Sequence, residues 1–344
     1  MHGRTEWTSA SNIALIKYWG KHENQLPANA SLSMTLRNSV SKTRVTITES
    51  ANPMSVQFFF GGVSTPAFEP KIESFFTRIS GEFPFLKHFD IIIESQNNFP
   101  HSAGIASSAS AMSALALCVC ELSGEFDPAE KSNPEFIRKA SKVARLGSGS
   151  ASRSVYGGFS VWGKTPKVID SSDEWAVPLD FSVHEKFSKL QDAVLIVSSG
   201  KKKISSSEGH ALMNTHPYAT ERYRLAEENL GVLLNALQSG NTDDFIRITE
   251  NEALGLHSLM MSSDPGFMLI EAGTIKIINK IREFREKTGK FLCFTLDAGP
   301  NVHLLYPESE KVDVSKFILE ELAEHCEGNR ILWDEAGDGP ERGI

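Results

Sequence analysis

Between Val40 and Ser50 the chain alternates β-branched and polar residues (VSKTRVTITES), the period-two pattern of a strand with one face buried. Met54 to Phe60 follows as its expected hairpin partner. Phe89 to Ser95 (FDIIIES) is a compact apolar run that predicts a further strand. Lys71 to Ile79 spaces its apolar residues as a short amphipathic helix. A turn-rich stretch, Gln96 to Gly104, opens into a helix of small residues from about Ala106 to Leu122. Pro134 to Ala144 predicts another helix, and Val155 to Trp162 and Ala193 to Ser198 predict strands.

The second half is more helical. Tyr218 to Gln238 carries good helix formers around an apolar stripe, and Asp243 to Met261 and Gly266 to Thr288 continue in the same way. Phe291 to Leu296 and Val302 to Leu305 predict strands around a tight turn, Val314 to Cys326 a helix and Arg330 to Trp333 a last strand. Strands and helices mix without a regular βαβ period, so the expected class is α+β with two lobes. The shift in character near residues 180 to 192 divides the chain into lobes 1–185 and 186–344.

Composition narrows the function classes. With 344 residues the chain buries a sizeable core unaided, and its 40% apolar and 23% charged content is that of a soluble globular protein. A net charge of −8 excludes general attraction to nucleic acid or anionic lipid, so an anionic ligand needs a local basic site. Cys118, Cys120, Cys293 and Cys326 sit in apolar stretches without CxxC spacing and are expected as reduced, buried thiols. The start, Met1 to Trp7, shows no signal-peptide core. No run approaches the roughly 18 apolar residues of a membrane span.

Several segments carry chemistry. Gly158 to Thr165 (GFSVWGKT) formally matches a phosphate-loop signature, but Pro166 follows at once and Phe159, Val161 and Trp162 are strand-like, so the match is rejected. Asn97 to Ser110 (NNFPHSAGIASSAS) is the better phosphate site. It follows a strand and opens a helix, Gly104 allows close backbone approach, and Ser107 and Ser108 add hydroxyls where the helix dipole favours an anion. The same residues also fit an ordinary Ser-capped helix. Arg145 to Gly158 (RLGSGSASRSVYGG) offers hydroxyls, free amides and two arginines to phosphate or carboxylate, or forms a surface loop. Lys17 and Lys21 in SNIALIKYWGK share one face if the segment is a strand. Asp297 ends an apolar strand at the turn of TLDAGPN, as a catalytic carboxylate or as a turn former. The lysines of Gly200 to Gly209 (GKKKISSSEG) form a solvated face or help neutralise a polyanion. The histidines show no metal-ligand spacing.

Taken in order, NIALIKYWGK, PANASLSMTL, NNFPHSAGIASSAS, GSGSASRSVYGGF, KKKISSSEG and FTLDAGPNVHLL resemble the diphosphomevalonate decarboxylases of the GHMP kinase superfamily. Each motif alone is moderately informative, and the ordered set spans nearly the whole chain. The resemblance implies an N-terminal lobe with a left-handed βαβ crossover, a ferredoxin-like C-terminal lobe and an active-site cleft between them. It implies Asp297, Lys17 and Arg153 as catalytic residues, and Tyr18, Lys21, Ser148, Ser150, Arg153 and Ser206 as substrate-binding. It assigns Asn98, Ser102, Gly104, Ala106, Ser107 and Ser108 to ATP. The implied cofactors are ATP and Mg²⁺ with unassigned ligands, and the implied setting is a cytoplasmic homodimer without nucleic-acid or membrane partners. His101, Ser102, Ser152, Ser207 and His210 depart from common family residues.

The implied chemistry is ATP-dependent decarboxylation of mevalonate 5-diphosphate to isopentenyl diphosphate through 3-phosphorylation. A 3-hydroxy acid loses CO₂ poorly because hydroxide is a poor leaving group, and phosphorylation supplies a good one. The alternatives are a decarboxylase of the 5-monophosphate, a 3-kinase that stops at phosphorylation, and a nucleotide-binding regulator with a degenerate site.

Overall fold

The computed structural model describes residues 2–99, 105–127, 135–200 and 206–343. Its N-terminal sheet is built on two long strands, β1 (His2–Ile16) and β2 (Ser31–Glu49), paired antiparallel from His2↔Thr48 to Ile16↔Leu32. The alternation noticed at Val40 is the outer half of β2. The remaining strands are β3 (Ser55–Phe60), β4 (Val63–Ser64), β5 (Phe89–Asn97), β6 (Phe159–Trp162), β7 (Ala176–Pro178) and β12 (Glu341–Arg342).

The strand at Met54 to Phe60 is not a hairpin partner of β2. β5 takes that place, antiparallel to β2, and β3 runs parallel to β5 on its far side. The reason is α1 (Glu69–Ile79): its buried Ile72, Phe75, Phe76 and Ile79 require a crossover that covers the sheet, and a tight hairpin leaves no room for one. The strand expected from Val155 begins only at Phe159, because Gly149–Ser152 is a 3₁₀ turn followed by further turns.

Two helices cover this sheet, α2 (Ser107–Phe126) and α3 (Phe136–Gly147). By length and mean hydropathy α2 matches a membrane-crossing helix, although its serines and glutamates interrupt any continuous apolar run. It is instead the central core helix, 72% buried, packed through small residues such as Ala109, Ser113 and Ala116. Ser113 and Ser110 bond across to Ser9 and Ser41 of the sheet at 2.8 and 2.6 Å.

The second sheet holds β8 (Leu190–Leu195), β9 (Cys293–Leu296), β10 (Val302–Pro307) and β11 (Ile331–Glu335) in the order β11-β8-β10-β9, all antiparallel. With helices between β8 and β9 and between β10 and β11, this is the βαββαβ arrangement of a ferredoxin-like lobe. The helices are α4 (Ser206–Leu212), α5 (Ala219–Ser239), α6 (Thr242–Met261), α7 (Ala272–Thr288) and α8 (Lys311–Phe317). α7 starts six residues later than expected from Gly266, where Glu271 and Thr274 form a capping box. The helix expected to reach Cys326 leaves α geometry at Ile318 for a π turn. Two apolar clusters join the lobes: Ile13, Leu15, Leu32, Met34 and Val161 pack against Phe187, Val194, Leu230, Leu233 and Phe245, and Trp19 packs against Met213, Leu256 and Met260. All four cysteines are free and buried.

Candidate active site

The end of β1 enters the seam between the lobes. The strand stops at Ile16, so Lys17 and Lys21 do not share a strand face, yet both line one cleft. Gly20 lets the chain turn there: its φ is +92°, and a Cβ would lie 2.3 Å from the Tyr223 hydroxyl. Lys17 is only 1% exposed, so it is not the solvated edge lysine that isolated strand logic favours.

Its backbone is held from both lobes. The Lys17 N–H donates to Glu252 of α6 at 2.9 Å, and its carbonyl accepts from Asn29 at 3.0 Å and from Arg222 of α5 at 2.9 Å. Arg222 in turn donates to both carboxylate oxygens of Glu252, at 2.8 and 2.7 Å. The Lys17 ammonium then meets Asp297 Oδ1 at 3.2 Å. Burial drives the lysine pKa down, and the carboxylate opposes that by favouring the charged form. Asp297 follows β9, and its carbonyl lies 3.0 Å from His257 Nε2. Burial holds His257 at a pKa of about 4, so it is neutral and donates through Nε2.

Arg153 reaches the same place from the serine loop and is 2% exposed. Its Nε donates to Asn12 Oδ1 at 3.3 Å, one terminal nitrogen donates to the Ser31 hydroxyl, and Trp162 lies under the guanidinium at 5.9 Å. Burial pushes its pKa down to about 10, which leaves it charged at neutral pH. Asn12 also bonds Ser150 O and Ser154 Oγ, so the loop and the arginine share one anchor. Gly149 is needed for closeness, since a Cβ would sit 2.7 Å from Trp162 and 3.0 Å from the Tyr18 hydroxyl. That buried hydroxyl has no hydrogen-bond partner among the described residues, and burial raises its pKa. A buried polar group in that state is completed by a ligand or water.

These groups surround a cavity of about 930 Å³. Lys17, Tyr18, Lys21, Ser148, Ser150, Arg153 and Asp297 all line it, as do Ala106, Ser107 and Ser108 at the start of α2. Ala106 adopts a left-handed φ of +38°, so the chain enters the helix from a sharp turn, and the first turn of the helix borders the cavity. The hydroxyls of Ser108 and Ser148 lie 3.2 Å apart, bringing the two hydroxyl-rich loops together. Asn98 does not line the cavity: its amide bonds the backbone of Val40 and Asn38 at 2.9 and 2.6 Å. Ser102 and Gly104, together with His101 and Lys201 to Lys203, lie outside the described residues, as does the side chain of Ser206.

Sequence reasoning passed over Glu252, Arg222 and His257, which sit in helices that look like ordinary amphipathic ones. A glutamate at a buried helical position was the available signal. It also missed the cleft face of α1. The rejected Gly158–Thr165 match is β6 and the turn after it, with the Lys164 N–H bonded to Asp173 at 2.7 Å and no helix following.

The fold and this cleft define an enzyme of the two-lobed GHMP type. Residues 9–173 match the family model described as diphosphomevalonate decarboxylase-like N-terminal domain, and residues 193–337 match that of the mevalonate 5-diphosphate decarboxylase C-terminal domain. The chain belongs to the diphosphomevalonate decarboxylase family. It is 30% identical to the diphosphomevalonate decarboxylase of Ganoderma lucidum over 330 residues, covering 90% of this chain and 79% of that one. Mevalonate diphosphate decarboxylase from Staphylococcus aureus superposes with a TM-score of 0.85 at 29% identity, covering 100% of this chain and 99% of that one. A structure described as MDDEF in complex with MVAPP, AMPPCP and magnesium superposes with a TM-score of 0.84 at 28% identity, covering 100% of this chain and 99% of that one.

Proposed function

We propose that Lys17, Arg153 and Asp297 carry the ATP-dependent decarboxylation of mevalonate 5-diphosphate, with Tyr18, Lys21, Ser148, Ser150 and Ser206 binding that substrate and the α2 entrance binding ATP. The enzyme converts mevalonate 5-diphosphate to isopentenyl diphosphate with release of ADP, phosphate and CO₂. The observation that carries the residue assignment is the Lys17–Asp297 pair, 3.2 Å apart, facing the same cavity as Arg153.

Asp297 accepts the proton of the 3-hydroxyl as its oxygen bonds to the γ-phosphorus and the bond to ADP breaks. Lys17 neutralises charge on the transferred group while held immobile by Glu252, Asn29 and Arg222. Phosphate then leaves C3 with the C–O electron pair. The C1–C2 pair becomes the C2=C3 double bond, and CO₂ departs. Arg153 fixes the carboxylate plane for that cleavage with a forked pair of donors.

Ser107, Ser108 and Ala106 suit ATP phosphates through helix amides and hydroxyls. Ser102 and Gly104 belong to the same assignment, whereas Asn98, whose amide is engaged by the Val40 and Asn38 backbone, supports the loop from behind. A smaller apolar slot beside Ser107 and Ser108, walled by Phe58, Phe60 and Met112, suits a nucleobase. Asp297 is the one carboxylate among the described residues lining the cleft, and no group of three His, Cys, Asp or Glu gathers among the described residues. That donor set fits Mg²⁺, which binds through one or two carboxylates plus substrate phosphates and keeps several waters. When bound, Mg²⁺ offsets negative charge on the transferred phosphoryl group.

The lobe division at 185/186 is supported by the two family matches, which stop at 173 and resume at 193. Four free thiols suit a reducing cytoplasm, and family membership supports a homodimer. The test is incubation with ATP, Mg²⁺ and mevalonate bearing one or two 5-phosphates, following ADP and CO₂ separately. Coupled release of both from the diphosphate is expected. ADP without CO₂ marks a 3-kinase, and faster turnover of the monophosphate marks a decarboxylase of that ester.

A further inference from the structure

The outer wall of the cleft is α1, which sequence periodicity marks only as a packing helix. Its inner side does pack, through Ile72, Phe75, Phe76 and Ile79. Lys71, Ser74 and Arg78 fall at i, i+3 and i+7, one stripe beside that apolar side, and all three line the cleft with Lys21 and Gln25, Lys71 where the cleft adjoins the smaller apolar slot. Among the described residues Lys71 makes no hydrogen bond or ion pair. Among the described residues the Lys21 ammonium bonds only the neutral Gln25 amide, at 3.0 Å. Arg78 donates one nitrogen to the Leu146 carbonyl at 2.7 Å, which leaves the rest of its fork unused.

The three cations feel one another. After burial, the charges of Arg78 and Lys71 hold Lys21 below the ordinary lysine range, and burial followed by Arg78 does the same to Lys71. Asp297 is the only carboxylate among the lining residues and is already engaged with Lys17. Like charges gathered without a counterion cost stability, and an arriving polyanion relieves that cost. The anchor of Arg78, Leu146, is two residues before Ser148. The guanidinium therefore stands at the outer end of the loop whose inner end bears Arg153.

We propose that the α1 stripe binds the outer phosphate of the substrate's 5-diphosphate, and that Arg78 is the residue that separates diphosphate from monophosphate. This rests on the activity proposed above and narrows its substrate. A substrate held by its carboxylate at Arg153 runs outward past Ser150 and Ser148. Its first phosphate meets Lys21 and the serine hydroxyls, and a second one reaches Arg78, Ser74 and Lys71. A forked guanidinium suits this role because it binds phosphate oxygens in pairs while keeping its tie to Leu146.

The test is Arg78→Gln, which keeps a polar side chain with hydrogen-bond donors but carries no charge. Calorimetric Kd values for mevalonate 5-diphosphate and 5-monophosphate are compared with wild type, alongside the KM for ATP. The expected result is a loss on the order of tenfold or more for the diphosphate, as for removal of a charged hydrogen-bond donor, with the monophosphate changed by less than about twofold. The ATP KM stays unchanged, and Arg78→Lys recovers part of the loss. Equal weakening of both esters, or an unchanged diphosphate Kd, overturns the proposal. A raised ATP KM with normal ester binding overturns it too, by assigning α1 to the nucleotide. If the wild type binds the diphosphate through Arg78 but releases no CO₂, the activity fails while this assignment stands.

Discussion

The cleft contains two groups of cations that are held in opposite ways. At the inner end, Lys17 is fixed by three backbone hydrogen bonds and an ion pair, and Arg153 is tied to Asn12 and Ser31 above Trp162. At the outer end, Lys71 has no partner among the described residues and Lys21 has a single neutral one. Both groups are positive, so charge alone does not separate them. Bond-making demands reacting atoms held to fractions of an ångström, and that requires buried, fully bonded side chains. Holding a diphosphate asks only for a positive field and adaptable donors. On the proposed assignment, rigidity marks where covalent change happens and loose charge marks where the substrate is recognised.

The sharpest way to break this comparison is Asp297→Asn. The side chain keeps its size, so folding and ATP binding stay close to wild type. Turnover falls by about 10²- to 10⁴-fold, the usual contribution of a positioned general base. Near-normal kcat in the folded variant removes Asp297 from the chemistry.

Arg153→Lys is next. An inner residue that works by geometry does not tolerate a point charge in place of a planar fork. The expected loss in kcat/KM is at least roughly tenfold, about 1.4 kcal/mol of transition-state stabilisation. Measuring ADP and CO₂ separately locates the loss: ADP formation with slow CO₂ release places Arg153 in C–C cleavage, and equal loss of both places it in positioning before phosphoryl transfer. Wild-type rates for both products put Arg153 with the tolerant outer cations.

The smallest effect concerns His210, which stacks against Tyr18 and Trp19 and accepts the Gly20 N–H at 3.0 Å. Burial, then the charge of Lys21, lowers its pKa to about 3. The unfolded chain binds a proton at about 6.5, so between those values it binds more protons than the folded one. Stability from this group is complete above about pH 6.5 and is lost as pH falls towards 3. His210→Gln keeps an acceptor for Gly20, so its Tm at pH 7 stays near wild type. Between pH 6.5 and 4 its stability should fall less steeply, by up to about 1.4 kcal/mol per pH unit. An unchanged slope shows that His210 is protonated without penalty in the folded state.

Most elements were legible because period-two and period-3.6 patterns are local. The misplaced hairpin shows the limit: no pattern within Met54 to Phe60 reveals that its partner is β5, across the intervening helix. The turn before Phe159 was misjudged because SASRSVYGG has strand-forming residues, while its backbone turns at Gly158, whose φ is +63°, and packs Gly157 against Asp338. Among site residues, those in short motifs were visible, since a strand end, a glycine turn and a charged residue coincide. Glu252 and Arg222 were not, because two oppositely charged residues 30 positions apart on different helices resemble surface charges until they are seen buried together. The stripe of Lys71, Ser74 and Arg78 was hidden by its own helix, whose polar side reads as solvated unless the facing wall is known.

Glu252 is not alone in gripping the other lobe by its backbone. On β11, Asp334 accepts the N–H groups of Arg37, Asn38 and Ser39 in β2, each at 2.8 Å. Two buried carboxylates of the second lobe thus complete main-chain hydrogen bonding in the first. Severing the chain at the 185/186 division would leave those amides and the shared apolar clusters uncovered, so neither half is expected to persist as an independent unit. Architectural boundary and cooperative boundary do not coincide, and heating should melt both lobes in one transition rather than two.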